Sequence, residues 1–138
     1  MLFPGFIACP SAQKIMQAKA DEAVILTREK TGVILDWSDE SIRQAEILLD
    51  NIYNAYYTKK HRTEAPGIEI IRLTYALGCY IGEVYRRCYQ AQWGIMGGKS
   101  GKLLGLKTPS GLVFSPVEHA LERAFDGRRE SFNHYSQT

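Results

Sequence analysis

The stretch "GIEIIRLTYALGCYIGEVYRRCYQ", Gly67 to Gln90, carries the strongest helical pattern in the chain and decides the fold. At 100° per residue its charged and polar residues fall within a sector about 100° wide. That sector holds Glu69, Arg72, Glu83, Arg86, Arg87 and Gln90. The opposite side is apolar and holds Ile70, Ile71, Leu73, Leu77, Ile81, Val84 and Tyr85. Gly78 and Gly82 lie four apart on the apolar side, so we predict a central core helix that other elements approach closely.

Two further helices are predicted ahead of this segment. The first runs from Ser11 to about Lys30 and ends at Gly32, a residue typical of helix C-termini. The next run, "GVILDW", is either a short strand or a buried linker. Ser38 then resembles an N-cap, and apolar residues at three- and four-residue steps extend the second helix to about Thr58.

The remainder of the chain changes character after the central helix. Glycines interrupt helical order, and "KLLGLKT" and "LVF" predict two short strands joined by a Pro-Ser-Gly turn. Ser115 and Pro116 then begin a last helix, and Gly127 ends it. We predict one α+β domain over 1–138, with three to four helices packed around a small antiparallel hairpin. It comprises an N-terminal arm (1–10), a helical half (11–58) and a second half with the central helix, hairpin and last helix (66–138).

Bulk properties exclude several classes of protein. The chain has 138 residues and a net charge of +2, which is too weak for the dense basic surface of a DNA-binding protein. No apolar run approaches the roughly 18 residues of a membrane span. Three cysteines, an odd number without CxxC spacing, argue against a disulfide framework or a zinc site. We expect a cytoplasmic protein without a metal or other cofactor.

The letters GGKS, Gly97 to Ser100, suggest a phosphate-binding loop and therefore an NTPase. Such a loop requires another glycine five positions before the second glycine of GGKS, and it lies between a strand and a helix. The required position is Trp93, and the residues that follow GGKS predict a strand. We therefore expect no nucleotide, and we interpret the glycines as turn residues.

Glu83 with Arg86 and Arg87 is the most specific group of candidate site residues. At spacings of three and four, these side chains form either a solvated salt-bridge cluster or, if covered, a buried carboxylate held by arginines. Arginine and aromatic residues together are typical of protein-binding hot spots. The predicted partner-binding residues are Glu83, Arg86, Arg87, Trp93, Lys99 and Lys102, and no residue is predicted to be catalytic.

Two segments resemble a family of small, functionally uncharacterised bacterial proteins. They are "LGCYIGEVYRRCYQAQWGI" and "GLVFSPVEHALERAFDGRRESF", and the resemblance extends from Gly67 to Phe132. It rests on Gly78, Tyr80, Gly82, Glu83, Trp93, Pro116, Gly127 and Ser131. The chain departs from the pattern at Cys79, Cys88 and the segment "MGGKSGK". The resemblance implies a stand-alone binding or accessory protein, and some bacterial proteins of this size are immunity proteins that neutralise a toxin.

The sequence therefore favours a bacterial protein-binding module, most specifically an immunity or inhibitor protein directed at a toxin or enzyme. A first alternative is a small enzyme that uses Glu83 in a pocket between the central helix and the hairpin. A second alternative is a weak nucleic-acid binder, which requires Lys59 to Arg62, Lys99, Lys102, Arg128 and Arg129 to lie on one face.

Overall fold

The structure, a computed structural model, describes residues 5–57, 67–98 and 101–127. Four helices and four strands occupy these ranges, and neighbouring strands are antiparallel. In chain order the elements are β1 (Ile7–Ala8), α1 (Pro10–Thr31), α2 (Ser41–Tyr57), α3 (Ile68–Tyr89), β2 (Gln92–Gly98), β3 (Gly101–Lys107), β4 (Val113–Phe114) and α4 (Pro116–Phe125). The predicted α+β class is confirmed.

Helix α3 is the central element, as predicted, and α1, α2 and α4 all pack against it. It ends where Gln90 adopts a left-handed conformation with φ 56°, and the Gln90 N–H bonds to the Tyr85 carbonyl. Every residue from Ala76 to Tyr85 is buried. The predicted division into an apolar and a polar side therefore fails in the middle of α3, which is covered all round, whereas Arg87 and Cys88 near its C-terminus are exposed.

Helices α1 and α2 match the prediction in extent but differ in detail. Helix α1 ends at Gly32, whose φ of 79° is the left-handed conformation that favours glycine. The "GVILDW" segment is a linker and contains no strand, although its Leu35 is buried. Ser38 lies one turn before α2, where its carbonyl and hydroxyl oxygens accept from the Ser41 N–H. The predicted helix start at Ser38 is therefore corrected to Ser41.

The sheet is larger than the predicted hairpin. Its strands follow the order β1-β2-β3-β4. The prediction placed no strand in β2, yet β2 pairs with β3 along its whole length, from Gln92 opposite Lys107 to Gly98 opposite Gly101. The N-terminal arm adds the edge strand β1, in which Ile7 lies opposite Ile95. The predicted strands near the Pro-Ser-Gly turn are present as β3 and β4.

GGKS begins in the last residues of strand β2. Its first two glycines end β2, and Lys99 and Ser100 lie outside the described residues. The chain continues into strand β3, so no helix N-terminus follows the motif to bind a phosphate. Gly97 pairs with Lys102 and Gly98 with Gly101, so these glycines belong to the hairpin, but as strand residues and not as the predicted turn residues.

Helix α4 closes the core against the glycines of α3. The Ser115 hydroxyl accepts a hydrogen bond from the Glu118 N–H at 3.2 Å, which makes Ser115 the predicted N-cap. A Cβ atom on Gly78 would lie 2.7 Å from the Cα of Val117, so only glycine allows this approach. Within the described ranges, no helix combines the length and the apolar character that crossing a bilayer requires.

Candidate functional site

The Glu83 carboxylate lies inside the protein and is fully enclosed. Arg86 donates to it twice, from Nε at 2.8 Å and from a terminal nitrogen at 3.0 Å. The indole Nε1–H of Trp93 donates to it at 2.8 Å. Arg87 adds an ion pair at 3.6 Å. A buried carboxylate is stable only when it is paired in this way, so these contacts account for its charge in the core.

Trp93 reaches Glu83 because Gly82 leaves room for its ring. The ring lies directly over Gly82, where any side chain would overlap it, and only 3% of Trp93 is exposed. Strand β2 is thereby fixed against the middle of α3. The close approach of another element that was predicted at Gly82 is therefore observed, and a tryptophan ring makes it.

The four predicted residues of α3 and β2 are thus brought together, but two of them do not form part of the surface. Glu83 and Trp93 are buried, so in this arrangement neither can contact a partner directly. Arg86 and Arg87 are about a quarter and a third exposed, at 24% and 32%, and both point inward to Glu83. Lys102 is exposed at the start of β3, and Lys99 lies outside the described residues.

The enclosure of Glu83 also bears on the two alternative functions. A substrate would have to displace Arg86 or Trp93 before it reached the carboxylate, because each oxygen already accepts a hydrogen bond. For the nucleic-acid alternative, only Lys102 of the required basic residues falls within the described ranges. Neither alternative gains support from the arrangement of the described side chains.

A tight turn at Trp37 lies beside this cluster, although the sequence predicts only a strand or a linker there. Trp37 has a φ of 67°, which is strained for a large aromatic residue. The Tyr80 hydroxyl accepts from the Trp37 N–H at 2.8 Å and lies 2.6 Å from the Ser41 hydroxyl. The Arg87 guanidinium lies 3.8 Å from the centroid of the Trp37 ring. These contacts hold the turn in place and use the exposed side of Arg87.

A second buried carboxylate joins α2 to α4. Glu46 is fully buried, and Arg123, which is 5% exposed, lies 3.7 Å from it. Arg123 also donates to both oxygens of Asp50, at 2.7 and 3.1 Å. No periodic pattern in the sequence predicts this pairing, because Arg123 lies more than 70 positions from both carboxylates. Its role is to fix α4 on α2 through paired charges.

An uncovered apolar surface extends along α1 and onto α3. It consists of a hollow of about 390 Å³ lined by α1 residues and an adjoining hollow of about 380 Å³ lined by both α1 and α3, and the two share Lys19 and Glu22. Three large apolar side chains around them are exposed, Ile15 at 58%, Ile68 at 82% and Ile71 at 42%. We call this surface the α1–α3 groove, and the residues that line its two hollows are Lys14, Ile15, Ala18, Lys19, Glu22, Ile68, Ile71, Arg72 and Tyr75.

The groove was missed because the periodicity of α3 predicts which side is apolar, not what covers it. Ile71 belongs to the apolar side of the predicted helix, and it is exposed instead of buried. The corresponding side of the C-terminal half of α3 is covered by α4 and Trp93 at Gly78 and Gly82. Among the described residues, no element continues this cover over Ile68.

An ion pair crosses the middle of the groove. Arg72 of α3 donates to one carboxylate oxygen of Glu22 on α1, and this hydrogen bond holds the pKa of Glu22 below its usual value. The other carboxylate oxygen is buried and has no hydrogen-bond partner among the described residues. Beside the pair, partial burial raises the pKa of Tyr75. The groove therefore combines apolar side chains with charges fixed in position.

The three cysteines are free and differ in reactivity. Burial raises the pKa of Cys79 to about 12, and its thiol lies 3.6 Å from the sulfur of Met16 in the core. A hydrogen bond from Ser11 lowers the pKa of Cys9, which precedes α1. In the described residues, no group of three or more histidine, cysteine or acidic side chains is placed to bind a metal ion.

No family model, no curated protein and no solved structure matches the chain. Two features of the structure bear on its function, the closed cluster around Glu83 and the open α1–α3 groove.

Proposed function

We propose that the protein is a protein-binding module whose docking surface is the α1–α3 groove. The observation that carries the proposal is the exposure of Ile15, Ile68 and Ile71 around adjoining hollows. Scattered exposed isoleucines are ordinary, but large apolar side chains that share one concave surface are typical of interaction sites. The proposed docking surface differs from the predicted one at Arg86 and Arg87, because both of these side chains pair with the buried Glu83.

Rigidity supports the same proposal. Helices α1 and α3 are each 22 residues long. They pack against each other, and their buried side chains include Ala20 and Ala23 on α1 and Ala76 on α3. A partner that docks on a rigid surface avoids the cost of ordering that surface, which improves affinity for a given contact area.

The more specific form of the proposal is an inhibitor of a toxin or enzyme, acting in the bacterial cytoplasm. An inhibitor must present a preformed surface that its target cannot remodel, and the long α1 and α3 helices provide one. The free cysteines suit the reducing cytoplasm. The enclosed Glu83 supports a binding role over a catalytic one, because the carboxylate has no exposed surface.

Affinity capture from the native lysate, with one variant in the groove and one control variant outside it, tests this proposal. The groove variant carries Ile68→Lys and Ile71→Lys, both at exposed positions of α3. The control variant carries Ile47→Lys, at a position on α2 that is 44% exposed and lines neither hollow. Circular dichroism verifies that each variant keeps the wild-type helical signal.

We expect the wild type and the Ile47→Lys control to retain one stoichiometric protein partner that the groove variant loses. Two apolar-to-lysine changes at the centre of an interface should weaken binding at least about a hundredfold, because each buries a charge against apolar surface. A partner retained equally by all three proteins would show that binding uses another surface. Identification of the partner as a toxin or enzyme that the protein inhibits would then establish the more specific form.

A further inference from the structure

We infer that the occupant of the α1–α3 groove is an amphipathic helix of the partner, with acidic residues beside its apolar face. This inference rests on the proposed function and adds the chemistry of the partner. It follows from two independent properties of the groove: its shape, which is set by two helices, and its charge, which is set by the side chains around it.

The shape is that of a seam between antiparallel helices. Met16 of α1 lies next to Cys79 of α3, and Glu22, further along α1, pairs with Arg72, which comes earlier in α3. Side chains on two such helices form ridges with a groove between them, into which the ridge of a third helix packs. Because helix side chains form the groove, it offers no strand edge for an extended peptide.

The length of the groove also suits a helix of ordinary size. Along α1 the hollows extend from Lys14 to Glu22, and a smaller hollow continues the seam to Lys30. At 1.5 Å per residue, this distance is about 24 Å, the length of a helix of roughly 16 residues. Ile68, Ile71 and Tyr75 stand three and four positions apart on α3, so they offer a stripe to the i, i+3, i+4 and i+7 residues of such a helix.

The charges around the groove indicate which charges a partner helix should carry. Four basic and two acidic residues line the three hollows, and the Arg72–Glu22 ion pair cancels one charge of each sign, which leaves three lysines against one glutamate. The basic residues are Lys14, Lys19, Lys30 and Arg72, and the acidic ones are Glu22 and Glu69. A partner helix with acidic flanks would meet the lysines, whereas one with basic flanks would be repelled.

Three synthetic peptides test the inference with the full-length protein. Each peptide has 16 residues. The first and second peptides carry the same apolar residues at helical spacing. The first carries glutamates beside the apolar stripe, the second carries lysines there, and the third is a scramble of the first without the stripe. Fluorescence anisotropy of the labelled peptides measures affinity at low and at high salt.

We expect the acidic amphipathic peptide to bind at least about tenfold more tightly than the basic one at low salt, with a difference that shrinks as salt rises. The scramble should bind weakly at any salt concentration. Lys14→Glu with Lys19→Glu should reverse the preference, whereas Lys107→Glu, at an exposed lysine on β3, should leave it unchanged. Reversal by the pair of changes in the groove distinguishes this site from general attraction to a basic protein.

The remaining outcomes separate the inference from the proposed function. Equal binding of the acidic and basic peptides, or a preference that Lys14→Glu with Lys19→Glu does not change, would overturn the acidic partner. If no peptide binds but capture still depends on Ile68 and Ile71, the helical occupant is wrong and the docking surface stands. If capture is also insensitive to those residues, both fail. Association of the protein with itself, lost in the groove variant, would replace the partner helix with a second copy of the chain.

Discussion

Replacement of Glu83 by glutamine tests the description of the buried cluster most severely. The change keeps the shape of the side chain and removes its charge, so packing against Gly82 and Trp93 is preserved. In the wild type the carboxylate accepts hydrogen bonds at 2.8, 2.8 and 3.0 Å. An amide has one acceptor oxygen, and its NH2 group would face a donor of Arg86 or Trp93.

The expected cost follows from these contacts. Removal of one partner from a buried ion pair costs about 3–5 kcal/mol. Arg86 is 24% exposed and can turn partly toward water, which places the cost near the lower limit of that range. We therefore expect Glu83→Gln to lower the free energy of unfolding by about 3 kcal/mol. For a chain of this length, that loss corresponds to a fall in Tm of roughly 10 °C.

Urea and thermal unfolding, followed by circular dichroism, measure the effect. Glu29→Gln provides the control, because Glu29 is exposed on α1 and its replacement should change the free energy of unfolding by less than about 0.5 kcal/mol. A loss below about 1 kcal/mol for Glu83→Gln would refute the reasoning. It would mean that the cluster behaves as a solvated surface group and that the enclosure described here is not maintained in solution.

Three further predictions concern the core and the cysteines. Gly82→Ala should destabilise the protein by about 1–3 kcal/mol in urea, despite the better helix propensity of alanine, because its Cβ would overlap the indole ring above it; a gain in stability would contradict this packing. Thr27 and Thr74 are both buried, but only Thr74 has a hydrogen bond from its hydroxyl, to a backbone carbonyl at 2.8 Å. The free energy of unfolding of the Thr27→Val variant should therefore be about 1 kcal/mol higher than that of the Thr74→Val variant, and equal values would refute this prediction. Alkylation at pH 8 should modify Cys9 first, since its pKa is lowered and the thiolate is the nucleophile, and should reach Cys79 only after unfolding; mass spectrometry that found equal rates would contradict both assignments.

Much of the helical architecture could be predicted because it depends on local signals. The left-handed residue at Gly32 and the Ser115 cap follow from residue type and position, and the sequence places both correctly. Strand β2 could not be predicted in the same way. Its glycines weaken the local strand signal, and the strand forms because β3 pairs with it and Trp93 anchors it to α3.

The candidate site shows the same division between local and long-range information. The spacing of Glu83, Arg86 and Arg87 predicts that they meet, and they do. Whether the cluster is solvated depends on what covers it, and the cover comes from β2, which the sequence did not indicate. The α1–α3 groove is the opposite case, in which a residue predicted to be covered is left open. Periodicity predicts Ile71 as a core residue, but only the packed fold shows that no described element covers it.

The isoleucine methyl spectrum of the protein, recorded as the captured partner is added, tests the central claim most directly. The chain places isoleucines both in the groove and elsewhere on the surface, so each spectrum contains its own control. We predict that the methyl signals of Ile15, Ile68 and Ile71 shift on binding, while those of Ile34 and Ile47 stay in place. Shifts confined to Ile34 or Ile47, or a partner that binds without moving the three groove signals, would contradict the assignment of the α1–α3 groove as the docking surface.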